Sequence, residues 1–316
     1  MRLVFMGTPG FARAILADLA TSNHEIVAVV TGPDRPAGRN RRLKPTEVRV
    51  EAEKNRLPII FAESLKSDSL HQTLADLGAD LFVVAAFRIL PPRLLELPAR
   101  GAINIHASLL PKYRGAAPIN WALINGEQVT GLTSIFLNQK VDTGDIILQE
   151  KVDIVATETY DSLYERLSRL AGPFTLKTLE LIESGACRPT LQNDAEATPA
   201  PKIHPDDAAI DFARPAEKVR DFIRGMSTRP GAFTFFRGQK LKVHLAAVAE
   251  ASEADQYQPG FIIPARKRLL VMCHNSALEL LRVVPAGKKE MDGVAFINGF
   301  RPQAGESFGK PKQGVQ

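Results

Sequence analysis

The chain has 316 residues, 45% hydrophobic and 24% charged, with a net charge of +5. That composition excludes a disordered polymer and supplies apolar material for two domains with cores of their own. No apolar run reaches the ~18 residues of a membrane span, and two cysteines, Cys187 and Cys273, without paired Cys/His spacing argue against a disulfide framework or a structural metal.

The opening "MRLVFMGTPG" lacks a charged leader followed by a cleavable hydrophobic region, so a cytoplasmic protein is expected. Short β-branched runs then alternate with helical patterns through the first 150 residues. Candidate strands are "RLVFMG", "EIVAVVTG", "LPIIFA", "DLFVVAAF" and "GAINIHAS", and "FARAILADLATS" and "SLHQTLADLG" carry apolar residues three and four apart. This predicts an α/β domain with a doubly wound, mostly parallel sheet. Two further extended segments, "GLTSIFLNQ" and "DIILQEKVDI", flank "KVDTG", and a long helix over "TYDSLYERLSRLAGPFTLKTLELIESG", with a bend at Gly172-Pro173, closes a first domain at residue 190.

Residues 191–205 are polar and proline-rich, with no periodicity, and read as a linker. From 206 to 316, a helix over "RPAEKVRDFIRGM" precedes runs such as "GAFTFFRG", "QKLKVHLAAVA", "FIIPARK", "RLLVMCH" and "SALELLRVVPAG". Their alternation with turn residues predicts a small antiparallel, OB-like β-barrel. Charge is uneven between the parts. From Pro201 onward there are 18 Lys and Arg against 12 Asp and Glu, whereas the first 200 residues hold 22 against 23. Residues 35–49, "RPAGRNRRLKPTEVR", concentrate six cations against one Glu, a patch suited to a polyanion or to a merely solvated surface.

The turn in "FMGTPGFA" is a poor dinucleotide site: only Gly7 and Gly10 are available, and Pro9 removes an amide donor. The segment "INIHASLLPKYRGAAPIN" carries more chemistry. In an extended strand Asn104 and His106 share one face while Ile103 and Ile105 share the other. They lie at the C-terminal end of a strand of a parallel sheet, where ligand clefts form in such folds. Asp142 in "KVDTGD" adds a carboxylate, with Asp145 as its competitor and a turn role as the alternative. An amide, an imidazole and a carboxylate can serve acyl transfer without a covalent intermediate when the substrate brings its own amine.

Together "FMGTPGFA", "VVTGPDRPAGRNRRLKPTEV", "INIHASLLPKYRGAAPINWAL", "VDTGDIIL", "IDFARPAEKVRDFIR", "RPGAF" and "PAGKKEMDGVAFING" resemble the methionyl-tRNA formyltransferase family over nearly the whole length. The resemblance implies a Rossmann-like formyltransferase domain and transfer of formyl from 10-formyltetrahydrofolate to the α-amine of methionine on initiator tRNA. It implies Asn104, His106 and Asp142 as the catalytic set, and a folate site lined by Ser108, Leu109, Leu110 and Pro111. Ala86, Phe87, Arg88, Ile89, Leu90 and Pro91 would supply backbone contacts to the pterin. Arg35, Arg39, Arg41, Arg42 and Lys44 would meet the tRNA acceptor end, and the C-terminal barrel would contact the acceptor arm. A monomer without metal and without membrane attachment is expected. Phe87-Arg88 departs from the aromatic-glycine pair common in the family, and Asn138-Gln139 stands where an acidic residue is typical.

Two other functions are open to this sequence. One is a folate-dependent formyltransferase acting on glycinamide ribonucleotide or an amino sugar; it has little need of the basic loop and second domain. The other is a non-enzymatic nucleic-acid binder, which leaves the grouped polar residues at a strand end unexplained.

Overall fold

The computed structural model describes residues 1–37, 42–250, 256–303 and 305–309. In chain order it begins with β1 (Arg2–Gly7), α1 (Gly10–Leu19), β2 (Glu25–Thr31), β3 (Arg35–Ala37), β4 (Arg42–Lys44), α2 (Glu47–Lys54) and β5 (Ile59–Phe61). Next come α3 (Asp68–Asp76), β6 (Leu81–Ala85), α4 (Pro92–Leu95), β7 (Ala102–His106), α5 (Pro118–Ile124), β8 (Val129–Phe136), β9 (Ile146–Asp153) and α6 (Tyr160–Glu183). The remainder holds α7 (Ala216–Met226), β10 (Phe233–Phe236), β11 (Gln239–Ala249), β12 (Ile262–Ile263), β13 (Leu270–Met272), β14 (Ala277–Pro285), β15 (Met291–Asp292) and α8 (Gly293–Phe300).

These elements divide into two compact units. The first comprises Met1–Pro118, Val129–Asp153 and Tyr164–Ala200; the second comprises Ile119–Gln128, Ile154–Leu163 and Pro201–Gln316.

In the first unit, seven strands form one sheet in the order β5-β2-β1-β6-β7-β8-β9. The first five are parallel to their neighbours, and β8 and β9 run antiparallel at one edge. The order reverses direction after β1, as a doubly wound α/β sheet does. Covered strands have no polar face, which is why β6 reads LFVVA with all five residues buried. One core cluster joins Val4, Met6, Val30, Phe82 and Val84 from the strands to Leu70 and Leu74 of α3 and Leu94 of α4. Pro173 lies inside α6, which runs unbroken through it.

The second unit contains an antiparallel half-barrel in the order β10-β11-β14-β13-β12, with β15 added to β14. Ala216, Val219, Ile223 and Met226 of α7, spaced three and four apart, bury into its core beside Val243, Leu280 and Val283. Phe236, Phe296 and Phe308 complete it, with the Phe296 and Phe300 rings stacked 4.5 Å apart. Cys273 is buried in this core, and burial pushes its thiol up to about 12. No helix among the described residues is long and apolar enough to cross a membrane.

Several elements escape a reading by periodicity. α2 buries only Val48, Glu51 and Ala52, so its sequence shows no apolar stripe; its start is set by Thr46, whose hydroxyl accepts the Arg49 amide at 3.0 Å. α8, GVAFINGF, has Asn298 as its single polar side chain, too little to mark a period, although Asp292 caps it by accepting the Ala295 amide at 2.7 Å. α4 and α5, with four and seven residues, are too short for a period to emerge.

Candidate active site

β7 ends at the point where the sheet changes from parallel to antiparallel pairing. Val84 of β6 is in register with Asn104 on one side, and Ile135 of β8 on the other; His106 is in register with Thr133. Because both neighbours hold the strand, its alternation is enforced: Ile103 and Ile105 are buried, while Asn104 and His106 lie on the opposite face. His106 is only 6% exposed, and its Nε2 lies 2.9 Å from the Tyr113 carbonyl oxygen. A carbonyl oxygen only accepts, so Nε2 carries a hydrogen and Nδ1 is the nitrogen turned toward Asp142.

Asp142 arrives from the β8–β9 connection, 38 residues beyond Asn104. Its Oδ1 accepts from Asn104 Nδ2 at 3.4 Å, and its Oδ2 stands 3.7 Å from His106 Nδ1. The Gly115 amide donates to the same Oδ2 at 2.9 Å. At 8% exposure this carboxylate is buried among donors, as a buried charge must be. The backbone bends sharply to deliver it. Asp142 has φ of 53°, and two residues later a Cβ on Gly144 would sit 1.6 Å from the Phe136 carbonyl oxygen, so only glycine fits. Asp145 is in the same connection and supplies its main-chain carbonyl to the Phe136 amide at 3.0 Å.

The segment Ser108–Pro111 follows directly from β7 and is stitched onto the sheet. Thr133 Oγ1 donates to the Ser108 carbonyl at 2.6 Å and accepts the Leu110 amide at 3.1 Å; Gln149 Nε2 donates to the Leu110 carbonyl at 2.8 Å. The Ser108 hydroxyl is spent on the Lys112 carbonyl at 2.7 Å, and Leu110 is buried while Leu109 is half-buried. Residues 86–91 leave β6 beside this strand end. Ala86 is exposed with φ of 43°, Phe87, Arg88 and Pro91 are half-buried, Leu90 is buried, and Ile89 is 72% exposed. Arg88 clamps the loop: its guanidinium lies 5.1 Å from the Phe87 ring centre and donates to the Ala62 and Glu63 carbonyls at 2.5 and 2.9 Å.

The basic patch contains a hairpin of β3 and β4, in which Arg35 is in register with Lys44 and Ala37 with Arg42. Lys44 is exposed. Arg39 and Arg41 lie outside the described residues. Arg49, at the end of the patch, is on α2 and paired with Asp34 at 2.6 Å and Glu53 at 2.7 Å, so its charge is already matched.

Four side chains serve the site without any sequence signal of their own: Thr133 and Gln149 beneath the Ser108 segment, and Arg114 and Gln192 around the Asp142 loop. Gln192 falls in the stretch that reads as linker. There its Nε2 donates to the carbonyls of Asp142 and Gly144 at 2.9 and 2.7 Å, while Arg114 Nε and Nη2 donate to its Oε1 at 3.0 and 2.8 Å. The neighbouring backbone is fixed too: Thr190 and Ile146 exchange amide hydrogen bonds, the Tyr113 amide donates to Thr198 Oγ1 at 2.9 Å, and the Ala200 amide donates to the Arg114 carbonyl at 2.7 Å.

A doubly wound sheet with an amide, an imidazole and a carboxylate converging at a strand end, followed by an antiparallel half-barrel, defines a class, and this chain belongs to the formyl transferase family. Residues 1–179 match the family model described as formyl transferase, and residues 202–301 match the formyl transferase C-terminal domain. Within that family, the chain is similar to the methionyl-tRNA formyltransferase of Koribacter versatilis, 40% identical over 98% of this chain and 99% of the relative. It is also similar to that of Alkaliphilus oremlandii, 39% identical over 98% and 100%. Among solved structures, WlaRD, a sugar 3N-formyl transferase, superposes with a TM-score of 0.68 at 16% identity, covering 92% of this chain and 99% of that one. HypX from Aquifex aeolicus, in complex with tetrahydrofolic acid, gives a TM-score of 0.64 at 16% identity; the match covers 96% of this chain but 48% of HypX. At such identities the two structures speak for the fold alone.

Proposed function

We propose that this chain transfers the formyl group of 10-formyltetrahydrofolate to the α-amino group of methionyl initiator tRNA, supplying formylmethionyl-tRNA for translation initiation. The observation that carries the reading is the convergence of Asn104, His106 and Asp142 at the C-terminal end of β7, within a chain about 40% identical to methionyl-tRNA formyltransferases along its length. Residues 1–190 form the formyl-folate domain, residues 191–205 connect it onward, and residues 206–316 contact tRNA through their basic excess. The enzyme works as a cytoplasmic monomer.

10-Formyltetrahydrofolate is a substrate that supplies a formyl carbon bonded to a nitrogen leaving group. The residues present fit it: Ile89 offers an exposed apolar surface, Phe87 and Leu109 stand half-exposed, and the backbone of 86–91 provides polar groups for a pterin. The aminoacyl α-amine, with a reference pKa near ~8, is substantially neutral at working pH and needs no protein nucleophile. Asn104 Nδ2 and His106 Nδ1 donate to the oxygen that gains charge as the amine nitrogen bonds the formyl carbon. With Nε2 engaged by Tyr113, His106 can do so from Nδ1 only as the imidazolium, and Asp142 Oδ2 is the charge that balances it. Asp142 also accepts a proton from the attacking nitrogen and passes one to the folate nitrogen as the carbon–nitrogen bond breaks.

The basic segment that carries Arg35, Arg39, Arg41, Arg42 and Lys44 meets acceptor-end phosphates, which makes affinity fall steeply with salt. The test is a formyl-transfer assay comparing methionine on initiator tRNA, methionine on elongator tRNA, and glycinamide ribonucleotide. Transfer to the first alone is expected. Turnover with glycinamide ribonucleotide and none with charged tRNA would reject the reading.

A further inference from the structure

We infer that Gln192 is a positioning residue of the transfer reaction: through its side-chain amide it holds the Asp142 loop against residues 113–115, and so fixes the carboxylate relative to His106. The inference rests on the proposed role of Asp142.

Its basis is that one amide joins the two loops that build the site. Residues 113–115 hold both catalytic groups, since the Tyr113 carbonyl accepts from His106 Nε2 at 2.9 Å and the Gly115 amide donates to Asp142 Oδ2 at 2.9 Å. Arg114, between them, donates twice to Gln192 Oε1, and Gln192 Nε2 donates to the Asp142 and Gly144 carbonyls. The orientation of the amide is determined. A guanidinium only donates and carbonyls only accept, so Oε1 must face Arg114 and Nε2 the loop, and every hydrogen-bonding position of the side chain is used.

The need for such a brace follows from the backbone. Asp142 has φ of 53°, a conformation that a residue with a side chain rarely holds unless its surroundings impose it, and the direction of the carboxylate depends on that angle. Gln192 bonds the carbonyl of the strained residue itself and, two residues on, that of Gly144, whose position against the Phe136 carbonyl leaves no slack. Arg114 is anchored in turn: its Nη2 also reaches Asp194 at 2.7 Å, its amide donates to the Thr198 carbonyl at 2.9 Å, and its own carbonyl accepts from Ala200. Among the described residues, the Gln192 side chain bonds the Asp142 main chain and none of the three catalytic side chains. Its effect passes entirely through the position of Asp142.

The test uses the full chain with Gln192→Met, which keeps the length and removes all four hydrogen bonds, and Gln192→Glu, which keeps the pairing with Arg114 and cannot donate to the two carbonyls. Both are expected to lower kcat roughly 10-fold to 100-fold, the scale of a misplaced reacting group. KM for folate and for tRNA should stay within about threefold, because the hydrogen-bonding positions of the side chain are all taken by protein. In an Asp142→Asn background, Gln192→Met should add less than about a threefold loss, since the group it positions is already disabled. A Gln192→Glu enzyme with wild-type kcat would overturn the inference, as would an undiminished loss from Gln192→Met on top of Asp142→Asn. If Asp142→Asn alone keeps full kcat, the proposed role of Asp142 fails first, and that result is distinct from either of the others.

Discussion

β7 reaches the Asp142 loop with two side chains held by strand ladders, Asn104 between β6 and β8 and His106 against β8, whereas residues 190–200 reach the same loop from irregular backbone pinned by scattered hydrogen bonds to residues far away in the chain. On the proposed reading the strand supplies groups that meet reacting atoms, whereas the irregular stretch supplies groups bonded to protein. A regular element can therefore carry chemistry with few added supports, while the strained turn that carries the third group needs a brace from elsewhere.

The largest effects separate the two regions. Asn104→Ala or His106→Ala should each lower kcat by about 100-fold to 1,000-fold, with thermal stability little changed in the half-buried Asn104 variant, read by steady-state formyl transfer alongside circular dichroism. Thr198→Val in the irregular stretch should do the reverse. It leaves the Tyr113 amide without the hydroxyl acceptor it has at 2.9 Å, costing about 1–3 kcal/mol in urea unfolding while kcat stays within about threefold. A 100-fold loss of kcat from Thr198→Val would show that the bond to the Tyr113 amide, and not only the Gln192 bonds to the Asp142 loop, sets the geometry of the site.

Asp161 sharpens the comparison as a caged carboxylate outside the candidate site. Burial works against its ionisation, but the Ser227 and Thr228 hydroxyls at 2.6 and 2.7 Å, the Thr228 amide at 3.3 Å and the charge of Arg229 outweigh burial and hold it below the usual aspartate value. A carboxylate lowered in the folded state stabilises above its ordinary pKa of 3.8, and that stabilisation disappears as pH falls through the folded value. Asp161→Asn should thus cost about 1 kcal/mol at neutral pH, given its partial exposure, remove that acid-dependent component, and leave kcat unchanged. The smallest effect concerns the cysteines: with its thiol pushed up to about 12, Cys273 should stay unmodified by a thiol-specific reagent at neutral pH in the native protein.

What could be read from the sequence follows the same division. Buried parallel strands such as β6 announce themselves as apolar runs, and the alternation in "INIHA" puts Asn104 and His106 on one face before any coordinates exist. The mostly parallel sheet and the antiparallel C-terminal unit were legible for that reason. The polar helix α2 and the largely apolar α8 were not, because neither has two distinguishable faces. Nor were Arg114, Thr133, Gln149 and Gln192. Their work is done across separations such as the 50 residues between Gln192 and Asp142, and no local period records a long-range hydrogen bond. A proline-rich polar stretch carries the composition of a linker even when its backbone is bonded to a site.

The most direct test of the convergence of Asn104, His106 and Asp142 on one reacting carbon is a crystal structure of the protein with a stable formyl-folate bound. The formyl oxygen should lie within about 3.2 Å of both Asn104 Nδ2 and His106 Nδ1, with the Asp142 carboxylate adjacent to the formyl carbon. A formyl group seated away from the end of β7, with those three side chains contacting no part of the ligand, would contradict it.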